Sequence, residues 1–438
     1  MAFTLGVLVL LVGLLVSIAL HELGHMVPAK KFGVRVSKYM VGFGPTLWSR
    51  TRGETEYGLK AIPLGGYVRL VGMFPSADVV GATPRKGRVA ELVDATREAS
   101  AEEVRPGEEH RAFYRLSAPK KVVVMLGGPF MNLVVAAVLM TVVLAGIGVP
   151  AATTTVGFVG ECVLPADAGP ERECEPGDPV APATDAGLQV DDTILSYAGQ
   201  EVRSWAEAQA AIRENGDAPA RLVVLRDGEE VELDVDPVVV DRPLRDEAGQ
   251  ILRDADGAVR TERTPFVGLS PTAELTPQPL STVGPLLGTV VVETAKIVLT
   301  LPARLVDVTQ AALGLEERDS SSVVGVVGIG RFAGEIAAAD APGYTVMERV
   351  ASMLLLLASL NVALFVFNLI PLLPLDGGHV VGALWEGARR QVARLRGLPR
   401  PAPADVARMM PVAYGVFLLL AAMGVLLIWA DLVRPVTF

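Results

Sequence analysis

Cysteine and histidine are scarce in this sequence, and each scarcity narrows the classes of protein that it can encode. The 438 residues include two cysteines, Cys162 and Cys174, whose spacing is not that of a zinc site. The four histidines leave few positions at which imidazoles can bind a metal. The net charge of −10 argues against binding to nucleic acid, which favours a basic patch.

Basic residues are absent from positions 1–20, so the basic start of a cleavable signal peptide is missing. Apolar residues, which make up 51% of the chain, are concentrated in four long runs. Each run is long enough to cross a hydrocarbon core of about 30 Å as a helix. The runs occupy 3–27, 122–149, 351–375 and 411–433. We therefore expect a polytopic α-helical membrane protein with four transmembrane helices, the first of which is retained.

The charged residues between the runs indicate how the helices cross the membrane. Residues 28–121 contain 17 Lys or Arg and 10 Asp or Glu, so this block is basic. Residues 146–350 contain 15 Lys or Arg and 34 Asp or Glu, so this block is acidic. Because positively charged loops stay on the cytoplasmic side, we expect the first loop inside, and the N-terminus and second loop outside. Cys162 and Cys174 both lie in the outer block, where an oxidising compartment favours a disulfide; two unpaired thiols are the alternative.

Residues 42–70 follow the first span and combine helix-breaking glycine and proline with aliphatic and aromatic residues that favour strands. This pattern predicts a membrane-associated β-hairpin or short curved sheet, sheltered by protein where it dips into the membrane. An exposed edge near 57–70 would pair with an unwound substrate strand. The residues proposed to bind substrate are Gly42, Gly44, Leu59, Ala61, Gly65 and Gly66.

Residues 155–275 have the composition of a compact α+β domain. The pattern predicts strands at Thr193–Tyr197, Arg221–Arg226 and Glu230–Val235, and a helix at Trp205–Arg213. The run from Pro182 to Gly199 resembles the signature of bacterial PDZ domains. It departs from that signature at Asp191, where glycine is usual, and at Ala198, where asparagine is usual.

Residues 284–313 are moderately apolar but carry four charged side chains, those of Glu293, Lys296, Arg304 and Asp307. A charge at the bilayer centre costs about 2.5–3.5 kcal/mol on the insertion scale. We therefore favour an amphipathic helix on the outer membrane surface over a fifth span.

The strongest chemical signal is the sequence His-Glu-Leu-Gly-His at positions 21–25, near the inner end of the first span. On a helix, His21 and His25 share one face and can bind one zinc ion, while Glu22 can reach a water on the metal. Ionisable residues inside a membrane segment are costly without partners, so the cluster indicates function. The alternative is that these residues merely cap the span at the interface.

Catalytic zinc takes three protein ligands and a water, so a third ligand must come from elsewhere. Asp376 is the best candidate, because it ends an apolar run in Leu-Pro-Leu-Asp-Gly-Gly, where prolines and glycines permit an unusual backbone path. The alternative is a turn at the membrane edge in which Asp376 caps a helix. His110 lies in a charged loop and is expected to be a surface residue. His379 is expected to lie beside the ligands without binding the metal.

These segments together resemble the site-2 protease family of intramembrane zinc metalloproteases, and most closely its bacterial RseP-type branch. The similarity rests on His-Glu-x-x-His in the first span and on Asn-x-x-Pro-x-x-Pro-Leu-Asp-Gly-Gly in a late span. It includes the Gly-Phe-Gly-Pro loop from Gly42, the run Ile62–Tyr67, and Gly-Gly-Pro-Phe-Met-Asn at the start of span two. The RseP type often carries two PDZ domains, whereas this chain contains one such block.

The resemblance implies one Zn²⁺ per chain, held by His21, His25 and Asp376, with Glu22 as the catalytic base. It makes Asn368 a candidate donor to the substrate carbonyl; a helix–helix hydrogen bond is the alternative for that residue. The implied substrate is a single-span membrane protein, such as an anti-sigma factor or a remnant signal peptide, cut first by an upstream site-1 protease. The implied location is a bacterial inner membrane, with the active site near the cytoplasmic leaflet.

The chain is thus predicted to comprise eight segments. These are a first transmembrane helix at 1–30, a membrane-associated β-loop at 31–74, a cytoplasmic loop at 75–120, a second transmembrane helix at 121–149, an extracytoplasmic PDZ-like domain at 155–275, an amphipathic membrane-surface region at 280–345, and third and fourth transmembrane helices at 350–380 and 408–433.

Two other classes of function remain open from the sequence. A silent membrane scaffold could recruit partners through its PDZ-like domain, but it need not retain His21, Glu22, His25 and Asp376 together. A zinc transporter would spread polar residues through several spans, whereas here they cluster at two points. The PDZ-like domain itself is interpreted as a size filter or a reader of a new carboxyl end, with a passive spacer as the alternative.

Overall fold

The computed structural model describes residues 1–82, 87–164, 172–244, 252, 254, 259–315, 318, 322–340 and 344–436. The helices are α1 (Ala2–Lys31), α2 (Ala77–Val80), α3 (Arg88–Glu102), α4 (Ala118–Thr141, continued by a π-helical segment, Val142–Ile147), α5 (Pro182–Asp185), α6 (Trp205–Asn215), α7 (Val283–Ala312), α8 (Val326–Ala338), α9 (Val346–Asn368), α10 (Asp376–Leu395) and α11 (Met410–Val433). The strands are β1 (Val36–Arg52), β2 (Thr55–Leu70), β3 (Val149–Val159), β4 (Thr193–Tyr197), β5 (Gln200–Glu201), β6 (Ala220–Arg226), β7 (Glu229–Val235), β8 (Val238–Pro243), β9 (Thr261–Phe266) and β10 (Leu269–Thr276). They form two compact units, Met1–Ile147 with Gln278–Phe438, and Gly148–Pro277.

The first unit is a helical bundle in which α1 and α4 cross at very close range. A Cβ atom at Gly24 would overlap the carbonyl of Gly127, and one at Gly127 would overlap the carbonyl of Gly24. Such approach through small residues is a usual way for helices to pack in membranes. Further along α1, the fully buried amide of Asn361 on α9 donates to the Ser17 hydroxyl at 3.0 Å. These contacts fix α4 and α9 against the helix that carries the histidine motif.

Five helices in the described part of the chain are long and apolar enough to cross a membrane, whereas the sequence predicts four spans. They are Ala2–Lys31, Ala118–Ile147, Leu280–Ala312, Val346–Asn368 and Val406–Val433. The additional candidate contains α7, because its most apolar stretch includes few of the charged residues that argued against a span. Length and composition alone therefore leave the number of spans at four or five.

The two ends of α7 contact the same end of the helical bundle. Just before the helix, the Gln278 N–H donates to the Leu144 carbonyl at 2.7 Å, where α4 has ended. At its far end, Val308 and Ala312 pack in one cluster with Leu427, in the last two turns of α11. At this same end of the bundle, Ala333 of α8 lies close to Gly6, near the start of α1.

β1 and β2 fold into a bent antiparallel sheet whose segments run in the order 46–52, 55–60, 36–41 and 66–70. The bends fall at Gly42 and Gly44, whose φ angles of 90° and 81° suit glycine. Leu59 pairs with Val41 on one side and with Trp48 on the other, so it lies inside the sheet. The predicted hairpin is therefore present, but Leu59 does not belong to a free edge.

The second unit is an antiparallel sheet in the order β10-β3-β4-β6-β7, with β5 beside β4 and a separate β8–β9 hairpin. Its core includes Val156, Ile194, Tyr197, Leu222 and Val224, each at most 2% exposed. The three predicted strands and the predicted helix are confirmed within two residues at each end as β4, β6, β7 and α6. Most of the polar stretch between β8 and β9 lies outside the described residues.

The positions at which the second unit departs from the PDZ signature have left-handed backbone. Asp191 has a φ of 74° and Ala198 a φ of 49°, a region in which glycine and asparagine are favoured. The Cys162 and Cys174 sulfurs are bonded at 2.05 Å. The two cysteines lie beside a cleft of about 1130 Å³ that α6, the 158–164 segment and the β8–β9 hairpin line. The assignment of this unit to the PDZ fold stays a prediction.

Candidate metal centre

The chain brings together three side chains that could hold a metal ion, two from its opening helix and one from the start of α10. His21 and His25 are one turn apart on α1, and Asp376 is the first residue of α10. A tight turn of seven residues separates α9 from α10 and contains a cis Leu373–Pro374 bond. A Cβ atom on Gly377 would overlap the carbonyl oxygens at the end of α9, which explains the glycine after Asp376.

The three ligand atoms lie at the mutual distances that a tetrahedral zinc ion requires. His21 Nε2 and His25 Nε2 are 3.2 Å apart, and they lie 3.4 Å and 3.3 Å from Asp376 Oδ2. Atoms bound 2.0–2.1 Å from a tetrahedral ion are separated by about 3.3–3.4 Å. Asp376 Oδ2 is buried and has no hydrogen-bond partner among the described residues, as expected for a metal ligand. The group therefore fits zinc.

Hydrogen bonds on the far side of each imidazole set the nitrogen that is free for a metal. His25 Nδ1 lies 2.8 Å from the Val124 carbonyl, to which it can only donate, so Nε2 is left as the ligand. His21 Nδ1 lies 3.1 Å from the side-chain amide of Asn132, a residue with no exposed surface. The amide nitrogen of Asn132 faces His21 Nδ1, and its buried oxygen has no hydrogen-bond partner among the described residues. Exchanging the nitrogen and oxygen of the amide satisfies both groups, since Nδ1–H then donates to the oxygen and Nε2 again faces the metal.

Glu22 lies beside the two histidines and against the free edge of the sheet. Its side chain is 9% exposed, and the backbone N–H of Val68 lies within hydrogen-bonding reach of its carboxylate. A Cβ atom on Gly66 would approach Glu22 Cγ to 3.1 Å. Val68 and Gly66 belong to the 66–70 segment, which pairs only with the 36–41 segment among the described strands. A carboxylate and an unpaired strand edge therefore meet at the metal centre.

The other predicted residues lie around this centre or away from it. Asn368 ends α9 and is partly exposed, and its side chain makes no hydrogen bond within the described chain. His110 is exposed in a turn at Glu109–Arg111, away from the group of three ligands. His379 is on the first turn of α10, with its ring 6.4 Å from that of Phe74, and it is not part of that group.

The structure places two further residues, Gly128 and Asn132, beside the histidines, a position that the sequence did not reveal. Gly128 faces the imidazoles so closely that a Cβ atom there would stand 2.7 Å from His21 Nε2 and still nearer to His25 Nε2. Asn132 follows four residues later on α4 and holds the ring of His21. The spacing of Gly128 and Asn132 on one helical face could have suggested a shared neighbour, but it does not name the histidines.

The model of peptidase family M50 matches residues 9–399, which is most of the chain. The chain belongs to peptidase family M50. Zinc metalloprotease Rip1 of Mycobacterium tuberculosis is 33% identical to this M50 peptidase over 439 residues, covering 100% of the chain and 99% of the relative. Rip1 of Mycolicibacterium smegmatis is 34% identical over 447 residues, with the same coverage. Metalloprotease MmpA of Caulobacter vibrioides is 28% identical over 406 residues, covering 89% of each protein.

Membership in this family confirms the enzyme class and the cofactor that the motifs predict. The protein is a multi-pass membrane zinc metallopeptidase of the site-2 protease type, and its cofactor is Zn²⁺. Proteases of this type cleave membrane proteins within the bilayer and serve regulated intramembrane proteolysis. The M50 peptidase therefore combines the expected chemistry with a site whose geometry suits it.

Proposed function

We propose that His21, His25 and Asp376 hold the catalytic zinc ion, and that Glu22 is the general base of an intramembrane endopeptidase. The observation that carries this proposal is the set of three ligand distances between 3.2 and 3.4 Å, formed by residues from opposite ends of the chain. Zinc, when bound in such a site, lowers the pKa of a coordinated water to about 7 and polarises a carbonyl oxygen.

The residues around the ligands transfer the proton, bind the substrate carbonyl and orient the imidazoles. The Glu22 carboxylate accepts the proton of the attacking water and later delivers it to the amine of the departing peptide. Asn368, whose side chain has no hydrogen-bond partner in the described chain, donates its amide to the substrate carbonyl oxygen as negative charge develops there. Val124 and Asn132 keep the two imidazoles oriented throughout, because the Val124 carbonyl, and the Asn132 oxygen in the exchanged amide orientation, each accept a hydrogen bond from Nδ1.

A Glu22→Gln variant tests the role of the base. The amide is nearly isosteric with the carboxylate but cannot take a proton, so the full-length variant should keep one zinc ion and lose cleavage of a single-span substrate. An Asp376→Ala variant should lose both zinc and cleavage. Full proteolysis by Glu22→Gln would refute the assignment of the base.

We infer that the unwound substrate pairs as an extra strand with the 66–70 segment. This segment is the free edge nearest to Glu22, whereas Leu59 is paired on both sides and Ala61 follows the same inner segment. Addition of a strand to an exposed edge exposes a peptide bond for attack, because the substrate gives up its helical hydrogen bonds. Gly42, Gly44 and Gly65 would then shape the sheet, while Gly66 approaches the substrate.

Proline at position 68 tests this docking edge. The Val68 N–H interacts with the Glu22 carboxylate, so we expect Val68→Pro to remove a donor at this edge while the pairing with the 36–41 segment remains. Cleavage should fall while zinc content is kept, and Val68→Ala is the matched control. Equal cleavage by the two variants would exclude strand addition at this edge.

The contacts of α7 support a surface helix and four spans. Leu10, near the start of α1, packs in one cluster with Leu139, near the end of α4, so these two helix ends lie on the same side. Both ends of α7 contact this side. A helix of 30 residues, about 45 Å long, then runs across the bundle instead of through it. Single cysteines placed near Leu280 and Leu313 should both react with a membrane-impermeant thiol reagent from outside. Opposite reactivity would establish a fifth span.

We place the N-terminus and the second unit outside a bacterial inner membrane, and the metal centre near the cytoplasmic leaflet. In that position, the cleft of about 1130 Å³ suits a peptide left by an upstream protease, so the PDZ-like unit would filter or read substrates such as anti-sigma factors or remnant signal peptides. Deletion of residues 160–270 should then permit premature cutting of an untrimmed substrate. Unchanged cutting would instead fit a passive spacer.

A further inference from the structure

Helix α10 exposes its apolar side chains and buries a carboxylate, the reverse of a water-facing helix. Five large apolar residues are 47–77% exposed, whereas Glu386 is 2% exposed. The five are Val381, Leu384, Trp385, Val392 and Leu395. At 100° per residue they form one stripe about 100° wide along the helix. No other part of the described chain covers this stripe.

The carboxylate on the buried face of α10 already has its ion-pair and hydrogen-bond partners within the protein. Glu386 accepts from Lys121 at 2.8 Å and from Arg390 at 2.8 Å, so the ion pair locks α10 against the first turns of α4. The backbone N–H of Ala404 donates to the same carboxylate at 2.8 Å. The exposed stripe therefore points away from the bundle and is free to meet a partner.

Exposed arginines lie on both flanks of α10, and Arg389 lies next to the stripe. On the helical wheel Arg389 lies next to Trp385, and Arg394 lies beyond Leu384. Arg396 stands at the residue that ends the helix. Unlike Arg390, these three arginines make no ion pair with the described part of the chain.

The position of α10 along the bundle places this pattern at a membrane interface. The helix begins at the metal centre and passes Lys121, where the apolar run of α4 begins. Trp385 is adjacent to the residue that binds Lys121, and the three exposed arginines follow within eleven residues. Tryptophan at the interface, with arginine just beyond it, is the arrangement of a helix that meets lipid headgroups.

We propose that α10 binds anionic phospholipids of the adjoining leaflet, with Arg389, Arg394 and Arg396 on the headgroups and the stripe against the acyl chains. The proposal rests on the membrane orientation inferred above. Charges of one sign beside an apolar stripe complement an anionic lipid surface. Because α10 opens with Asp376, bound lipid would also steady the helix that carries a metal ligand.

A titration of the purified full-length protein with phosphatidylglycerol and phosphatidylcholine, followed by native mass spectrometry, tests the proposal. The wild-type protein should bind phosphatidylglycerol preferentially. The double variant Arg389→Gln/Arg394→Gln should weaken its tightest association about 25-fold, fivefold for each arginine. The matched control, Arg88→Gln/Arg105→Gln, removes two exposed arginines from the 75–120 loop and should behave like the wild type.

Equal loss in both double variants, or no preference for the anionic lipid, would overturn the proposal. A stable dimer that is lost on Leu384→Ser and is insensitive to phosphatidylglycerol would assign the stripe to a second copy instead. A second measurement uses the protein with all its arginines intact. Brominated phosphatidylglycerol should quench the fluorescence of Trp385, and the Trp385→Phe variant gives the background signal. Zinc content of each sample reports separately on the metal centre, so failure of the lipid site and failure of the proposed function are distinguishable.

Discussion

Gly128 leaves open the space in which the imidazoles of His21 and His25 meet Asp376, and a single methyl group should close that space. In Gly128→Ala the new carbon would stand 2.7 Å from His21 Nε2 and nearer still to His25 Nε2, whereas ordinary contact begins at 3.4 Å. The rings must therefore move by at least about 0.7 Å, while zinc ligand distances tolerate about 0.2 Å.

Retreat of α4 from the histidines would break the close packing of Gly127 against Gly24 and disturb the buried ion pair of Lys121 with Glu386. Lesser disturbances of the groups behind zinc ligands weaken binding about 10–100-fold, so Gly128→Ala should weaken it by about 100-fold or more. Competition with a zinc chelator on the full-length protein in detergent measures this affinity. The matched control is Gly415→Ala on α11, where a Cβ atom meets nothing within 4 Å.

Both alanine variants should keep the helical content of the wild type, since alanine favours helix over glycine by about 1 kcal/mol. Zinc affinity of Gly128→Ala equal to that of Gly415→Ala would mean that the ligand atoms do not converge beside Gly128. The metal would then have to lie elsewhere.

Three further predictions concern single side chains. Asn132→Ala should speed zinc release about 10–100-fold in a chelator assay, whereas Asn132→Asp should keep release slow because its carboxylate oxygen still accepts from His21. Equal rates of zinc release from Asn132→Ala and the wild type would show that Asn132 does not support the metal centre. Ala198→Gly should stabilise the second unit by about 1 kcal/mol in hydrogen exchange, since a φ of 49° strains alanine; a loss of protection would contradict this. Burial alone would raise the pKa of Asp192, but the guanidinium of Arg226 and the Gln189 N–H hold this pKa below its usual range. The ion pair of Asp192 with Arg226 therefore stabilises the second unit above about pH 4, and this stabilisation is lost as the pH falls further. Asp192→Ala should cost about 3–5 kcal/mol at pH 7 and flatten this acid dependence; an unchanged acid transition would contradict it.

The parts of the fold that depend on local pattern could be predicted from the sequence. Apolar runs locate α1, α4, α9 and α11, because a membrane span must satisfy its backbone within one helix. The spacing of His21 and His25 places both on one helical face, whatever surrounds them. In the second unit, alternating side chains locate β4, β6 and β7.

The parts that depend on contacts between distant segments could not be predicted. Leu59 and Val68 have similar strand-forming surroundings, yet only pairing reveals that Leu59 is inside the sheet and Val68 on its edge. The hydrogen bond between His21 and Asn132 joins residues 111 positions apart. The course of α7 is likewise set by what its ends contact, since its composition suits both a surface helix and a span.

The central claim is that His21, His25 and Asp376 converge on one zinc ion, and zinc K-edge X-ray absorption on the full-length protein tests it most directly. The spectrum should show two imidazole nitrogens at about 2.0–2.1 Å together with oxygen at about 2.0–2.2 Å, and Asp376→Ala should remove an oxygen or release the metal. A sulfur shell at about 2.3 Å, or a spectrum that Asp376→Ala leaves unchanged, would contradict the account.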